Sequence, residues 1–471
     1  VRYISTRGRA KASGFEEVLL AGLAEDGGLY VPEHGPEPFD AEGMRRLQGR
    51  DYAEVAAEIL SRFAGDAIDP DRLAEITRES YAGFTHRAVA PLVQIGTDEW
   101  LLELFHGPTL AFKDFALQVL GRLYQHVLEK RNTRVTIVGA TSGDTGSAAI
   151  EAIRGRSRAS IFILHPAGKV SEVQRLQMTT VHAPNVHNIA IDGTFDDCQA
   201  LVKAMFNDAA FRKEMHLSGV NSINWVRIAL QVVYYFTAAL ALGAPDRKVS
   251  FCVPSGNFGN VFAGLVALRM GLPISRLVVA SNENDILTRV LCTGEHRLAE
   301  VCPTISPSMD IQISSNFERL LFYMHEGDAK QVSALMHDLA DKGVFRIDPQ
   351  AMDSIRPPFV AGRCDDAQTL STIASVFAET GLVIDPHSAV GVAVARQRMK
   401  EDDEAGTPMI SLATAHPAKF PDAVERAIGI RPALPAHLAD LHRRPEHYTS
   451  LPNDLPSLMH HIRAHADAAQ G

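Results

Sequence analysis

Cysteine is scarce in this chain. The five that occur, Cys198, Cys252, Cys292, Cys302 and Cys364, are scattered, and no two form a CxxC pair. An odd, dispersed set excludes a disulfide framework and a zinc knuckle and fits a reducing compartment. Positive charge is also in short supply. Lys and Arg total 46 against 56 Asp and Glu, a formal net charge of −10. General nucleic-acid and anionic-membrane binders are normally basic, so neither is expected as a partner, although a locally basic pocket is still allowed. Long uninterrupted apolar runs are lacking too. The longest, residues 228–244, is broken by Gln231 and Thr237 and carries Gly243 near its end. It reads as a helix buried in a large α/β core, not as a membrane span. The opening residues Val1-Arg2-Tyr3-Ile4-Ser5-Thr6-Arg7-Gly8 lack the pattern of a signal or transit peptide. The expectation is a cytoplasmic protein. His461 and His465 stand one helical turn apart but without an evident third ligand, so no metal is expected. Residues 431–456, rich in Pro, His and Arg, read as an irregular surface excursion.

What is present is ordinary globular composition, 46% hydrophobic and 22% charged over 471 residues, enough for a large core. Residues 1–90 read as a mainly helical N-terminal region, with helical periodicity at 15–23, 52–63 and 71–81 and a turn with a short extended piece at 25–32. Beyond residue 91, strand and helix patterns alternate. Strands are expected at 100–105, 134–138, 160–165, 186–191, 249–253, 277–280 and 408–413. Helices are expected at 114–129, 147–154, from 195, at 261–269 and from 422. The fold class that follows is α/β, with mostly parallel sheet flanked by helices. We divide this part into two lobes, 91–235 and 236–471. Ligands in such sheets lie beyond the carboxyl ends of the strands, where the loops of interest fall.

One loop holds Lys113 inside the aromatic and apolar run 104–116. Loss of hydration there disfavours the ammonium form, which suits an amine that acts as nucleophile, base or Schiff-base former. A second, Ser255-Gly256-Asn257-Phe258-Gly259-Asn260, follows a strand and opens a helix. Its glycines let successive N–H groups turn toward a phosphate at the helix start. A third, Thr141-Ser142-Gly143-Asp144-Thr145-Gly146, adds three hydroxyls to a similar turn and suits a carboxylate. Neither glycine loop is a Walker loop, since no Gly-Lys-Ser/Thr is present. Asn221, Ser222 and Arg227 offer amide, hydroxyl and guanidinium to a second phosphate. Thr414 stands just past a strand and can present its hydroxyl to a cleft. Taken singly, each has a plainer reading: a snorkelling lysine, tight turns, helix caps. Together, a desolvated lysine and a phosphate cradle on an α/β scaffold suggest pyridoxal phosphate (PLP).

With these motifs in hand, the sequence resembles the threonine synthases, PLP-dependent enzymes of fold type II, over nearly its whole length. The resemblance rests on residues 3–8, 26–32, 106–115, 141–146, 221–227, 255–260, 314–319 and 414–420. The N-terminal motifs match the longer subgroup of the family. The resemblance implies a tryptophan-synthase-β-like fold, with the lysine and carboxylate loop in the first lobe and the cofactor-phosphate loop in the second. It implies that Lys113 forms the Schiff base and that Gly256, Asn257, Phe258, Gly259 and Asn260 bind the cofactor phosphate. Thr414 would face the pyridine nitrogen. Thr141, Ser142, Gly143 and Thr145 would take the substrate carboxylate, and Asn221, Ser222 and Arg227 its phosphate. Asp144 stands where shorter-subgroup members carry an asparagine near the cofactor's ring oxygen. The implied reaction turns O-phospho-L-homoserine and water into L-threonine and phosphate, in a monomer or homodimer. A related phospholyase or threonine dehydratase is the nearest alternative. A non-catalytic phosphometabolite-binding protein is a distant one.

Overall fold

The computed structural model describes residues 1–141, 143–219, 222–401 and 406–466. Ser142 and Asn221, both singled out above, lie outside the described residues. The chain forms two compact units. The first comprises residues 1–18, 23–112 and 222–432, the second residues 19–22, 113–221 and 433–471. Each is assembled from separated stretches, whereas the regions read from sequence order (1–90, 91–235 and 236–471) are consecutive. Parallel strands cannot be joined by tight turns, so a parallel sheet recruits segments far apart in the chain.

The first unit is built on a six-stranded sheet in the order Phe359–Arg363, Ile274–Ser281, Val249–Pro254, Met409–Ala413, Glu99–Glu103, Leu92–Gln94. Five strands run parallel and the edge strand Leu92–Gln94 is antiparallel to its neighbour. Val249–Pro254 and Met409–Ala413 are buried at every residue, which fits sequences that are apolar apart from Ser250 and Ser411. The helix Trp225–Ala241 is buried on nearly all sides and supplies core, as its sequence indicates. No helix among the described residues is long and apolar enough to cross a membrane. In the N-terminal part, Tyr3–Ser5 pairs antiparallel with Tyr30–Pro32. Tyr52–Ala64 starts at a capping box between Asp51 and Glu54, and Pro70–Tyr81 starts with Asp69 as cap and Pro70 in its first turn.

The second unit holds a five-stranded, wholly parallel sheet in the order Thr449–Pro452, Val186–Asp192, Ala159–Pro166, Val135–Ala140, Leu217–Ser218. Phe162, Leu164, Ile189, Ile191 and Met205 lie in its core, with Leu458 and Ile462 of the helix Leu455–His465. The strand Thr449–Pro452 corrects the expectation of an irregular excursion over 431–456. It pairs in register with Ile189 to Asp192. An edge strand is bonded on one side only. Here it is mostly exposed and ends in a proline, so its composition resembles that of a loop. Helix starts also move. Three helices begin at Lys113, Asp144 and Gly259 rather than one to three residues later. Glycine, Asp and Thr at a first turn read as loop because they are also the residues that favour turns and caps. All five cysteines are free, and Cys198, Cys252 and Cys364 are buried.

Candidate active site

In the second unit Lys113 is the first residue of the helix Lys113–Lys130. Its side chain is 13% exposed, and Nζ lies 3.6 Å from Oδ2 of Asp144, whose side chain is 4% exposed. The other carboxylate oxygen of Asp144 accepts from Nε2 of Gln174 at 2.7 Å. The Ser171 hydroxyl in turn donates to Oε1 of Gln174 at 2.8 Å, which fixes the amide's orientation. Asp144 is therefore aimed at the lysine by a residue that no sequence motif marked. The loop before it is closed by Thr141. The Thr141 hydroxyl donates to the Gly143 carbonyl and accepts from the N–H groups of Gly143 and Gly146. Gly146 has to be glycine, because a Cβ there would stand 2.3 Å from Cγ2 of Thr141 and 2.6 Å from Sδ of Met178. Thr145 is half-buried in the first helical turn.

The remaining described candidates lie in the first unit. The strand Val249–Pro254 leads into the glycine loop and the helix Gly259–Arg269. Phe258 is buried in the left-handed region at φ 60°, a strained conformation for a bulky residue of the kind that clusters at functional sites. Its N–H donates to Ser255 Oγ at 3.2 Å. The N–H groups of Gly256, Asn257, Gly259 and Asn260 bond to no acceptor among the described residues. The space beside them is tight: a Cβ on Gly256 would stand 3.0 Å from the Ser308 carbonyl, and one on Gly259 3.2 Å from Nδ2 of Asn316. Unspent donors at a helix start, framed by glycines, fit a phosphate dianion. Asn260 differs. Its side-chain oxygen accepts from the hydroxyls of Tyr234 and Tyr235, which anchors the helix start to the core helix.

Arg227 is buried, and neither Nε nor Nη1 has a hydrogen-bond partner among the described residues. Burial pushes its guanidinium down to about 10, and Tyr234 opposes the shift. A buried cation in this condition is suited to an incoming anion. Asn316 joins this segment to the glycine loop, since Nδ2 donates to the carbonyls of Ser222 (3.2 Å) and Asn257 (3.0 Å). Arg319, fully buried, donates to Oδ1 of Asn316 and to the carbonyls of Tyr30 and Ile223. The motif 314–319 was visible in the sequence, but nothing local in it announced this bracing.

Thr414 follows the strand Met409–Ala413 and is buried, and its hydroxyl bonds to no group among the described residues. Its carbonyl accepts from the Phe112 N–H at 2.9 Å. His416 N–H donates to the Leu110 carbonyl at 3.0 Å, and Lys419 Nζ donates to the Thr109 carbonyl at 2.8 Å. Residues 109–112, which lead into Lys113, are thus laced to residues 414–419.

Comparison with known proteins agrees with this arrangement. Family models described as "Threonine synthase N terminus", "Pyridoxal-phosphate dependent enzyme" and "Threonine synthase, C-terminal" match residues 2–81, 86–351 and 388–462. The threonine synthase of Pseudomonas aeruginosa is 53% identical over 468 residues, 99% of each chain. That of Corynebacterium glutamicum is 42% identical over 98% of each. Among solved structures, the PLP-bound threonine synthase of Brucella melitensis superposes with a TM-score of 0.96 at 55% identity, covering 99% of both chains. The yeast enzyme gives 0.93 at 39% identity over 98% of both. The chain therefore belongs to the threonine synthases, PLP-dependent enzymes of fold type II with an N-terminal extension.

Proposed function

We propose the following division of labour for the threonine synthase reaction, in which O-phospho-L-homoserine and water give L-threonine and phosphate. Lys113 would hold the cofactor through its side-chain amine, and that amine, when free, would take the α proton of the bound substrate. Asp144, 3.6 Å from Nζ, keeps that amine oriented between its two tasks. The unspent N–H groups of Gly256, Asn257, Gly259 and Asn260 hold the cofactor phosphate, with Phe258 shaping the turn. The Thr414 hydroxyl would serve the ring end of the cofactor. When bound, the cofactor supplies the electron sink that carries the charge released next to the substrate amine. Thr141, Ser142, Gly143 and Thr145 receive the substrate carboxylate. Asn221, Ser222 and Arg227 receive its phosphate and stabilise the charge that develops as phosphate leaves.

The observation that carries the choice of substrate is the buried guanidinium of Arg227, two of whose nitrogens have no partner among the described residues. A dehydratase acting on unphosphorylated threonine has no use for it. The scattered, unpaired cysteines support a cytoplasmic location. The test is an assay of O-phospho-L-homoserine for phosphate and threonine. Equal yields of the two are expected from the native chain. The Lys113→Ala variant should lose roughly a thousandfold or more of that turnover while still folding, as a single cooperative melting transition shows. Phosphate accompanied by ammonia in place of threonine would assign the chain to the related phospholyases instead.

A further inference from the structure

The turn Asp385-Pro386-His387-Ser388 opens the helix Pro386–Glu401 and plays no part in the roles assigned above. Asp385 is fully buried, and its carboxylate accepts four hydrogen bonds. Oδ2 takes the N–H and Nδ1 of His387 at 3.0 and 2.7 Å. Oδ1 takes the N–H of Ser388 at 3.0 Å and its hydroxyl. A helix cap needs only the backbone pair. The two side-chain bonds lead further. Ser388 Oγ accepts from the Thr414 N–H at 3.2 Å. His387 Nε2 accepts from the Ser308 N–H at 3.1 Å, so the ring proton sits on Nδ1, where it is donated to Asp385. The Ser308 carbonyl is the group that stands 3.0 Å from the Cβ position of Gly256. Two short chains therefore leave one carboxylate. One ends on the backbone of Thr414, the other on the wall of the glycine loop.

We infer that Asp385 is a positioning residue that sets both ends of the cofactor seat, the pyridine end through Ser388 and the phosphate end through His387. The inference rests on the assignment of Thr414 and the glycine loop to the cofactor. An asparagine at 385 cannot serve both arms. Whichever way its amide is turned, an NH2 group faces either the two donors of His387 or the two donors of Ser388. Turned toward His387, it forces the other tautomer and sets Nε2–H against the Ser308 N–H.

The test measures affinity of the cofactor-stripped protein for PLP and for pyridoxal, which lacks the phosphate. Ser388→Ala is expected to weaken both ligands by the same factor, about tenfold. His387→Leu is expected to weaken PLP about tenfold and leave pyridoxal unchanged, because only the phosphate end moves. Asp385→Asn should weaken both, PLP about a hundredfold and more than pyridoxal. General destabilisation does not produce this split. The inference is overturned if Asp385→Asn, folded by melting temperature, binds both ligands within about twofold of the native chain. It is also overturned if Ser388→Ala and His387→Leu alter the PLP-to-pyridoxal ratio identically. Should Asp385→Asn fail to fold, that pair decides alone. Thr414→Ala and Gly256→Ala serve as controls on the underlying assignment. If neither changes either affinity, the cofactor roles themselves are wrong, which is a separate failure.

Discussion

At Arg227 the protein buries a cation whose Nε and Nη1 find no hydrogen-bond partner among the described residues. Desolvation makes such a group a cost to the ligand-free fold, recovered when an anion arrives. Arg227→Met keeps most of the volume and removes the charge. The ligand-free variant should be as stable as the native chain or more so, by up to about 3 kcal/mol, read from denaturant midpoints. Phosphate release should fall at least about a hundredfold. Stability and activity thus move in opposite directions, which a purely structural arginine would not do. Lys113 differs, because it has a carboxylate beside it. The sequence marked Asp144 as an unusual residue beside the cofactor; the structure makes it the lysine's partner at 3.6 Å and gives it Gln174 as a brace. Residue types were legible in the chain at both sites. Burial and partners were not, because they depend on segments tens of residues away.

At the scale of elements, the helix that begins with Lys113 is held close to the helix Asp144–Ile153 by a glycine. A Cβ at Gly121 would stand 2.2 Å from the carbonyl oxygen of Ala152. Gly121→Ala must push the two helices apart despite its higher helix propensity. We expect a loss of about 1–3 kcal/mol in denaturant unfolding, together with a fall in kcat from the displaced Lys113. The C-terminal helix Leu455–His465 offers a second case. His187 stacks on Phe162 with ring centroids 4.4 Å apart, near His461 and His465. Burial first, then those two histidines, lower His187 from 6.5 to about 4. The unfolded chain takes up this proton as pH falls through 6.5, the folded chain only near 4. Between those values protons favour unfolding, so this contribution is intact above pH 6.5 and is lost progressively toward pH 4. Melting temperatures measured from about pH 7.5 to about pH 4.5 should decline, and His187→Leu should flatten the slope. The helices over 15–23, 52–63, 71–81, 114–129 and 261–269 were legible from periodicity, as were the inner strands of both sheets; the helices between residues 281 and 407, such as Asp366–Thr380 and Pro386–Glu401, were not. The strand Thr449–Pro452 was not, since a short exposed edge has the composition of a loop.

For the molecule as a whole, a cofactor bound only by the folded chain stabilises it by mass action. Stripping PLP should lower the melting temperature. Readdition at about a hundred times its dissociation constant should restore about 2.7 kcal/mol. Lys113→Ala should retain part of this gain through the phosphate cradle, as differential scanning calorimetry with and without cofactor would record. The sequence by itself determined the α/β class, the loops at strand ends and the lysine, because alternation, glycine turns and an apolar setting are local properties of the chain. Only the tertiary structure decided the strand order of the two sheets and the membership of the two units. It alone revealed Gln174 behind Asp144, Asn316 and Arg319 behind the glycine loop, and Asp385 with Ser388 behind Thr414. The hydrogen bonds that tie Gln174 to Asp144, Asn316 and Arg319 to distant backbone, and Ser388 to Thr414 join residues separated by 26 to 289 positions. A hydrogen bond over such a distance leaves no periodic or compositional trace at either end, so it emerges only when the chain is folded.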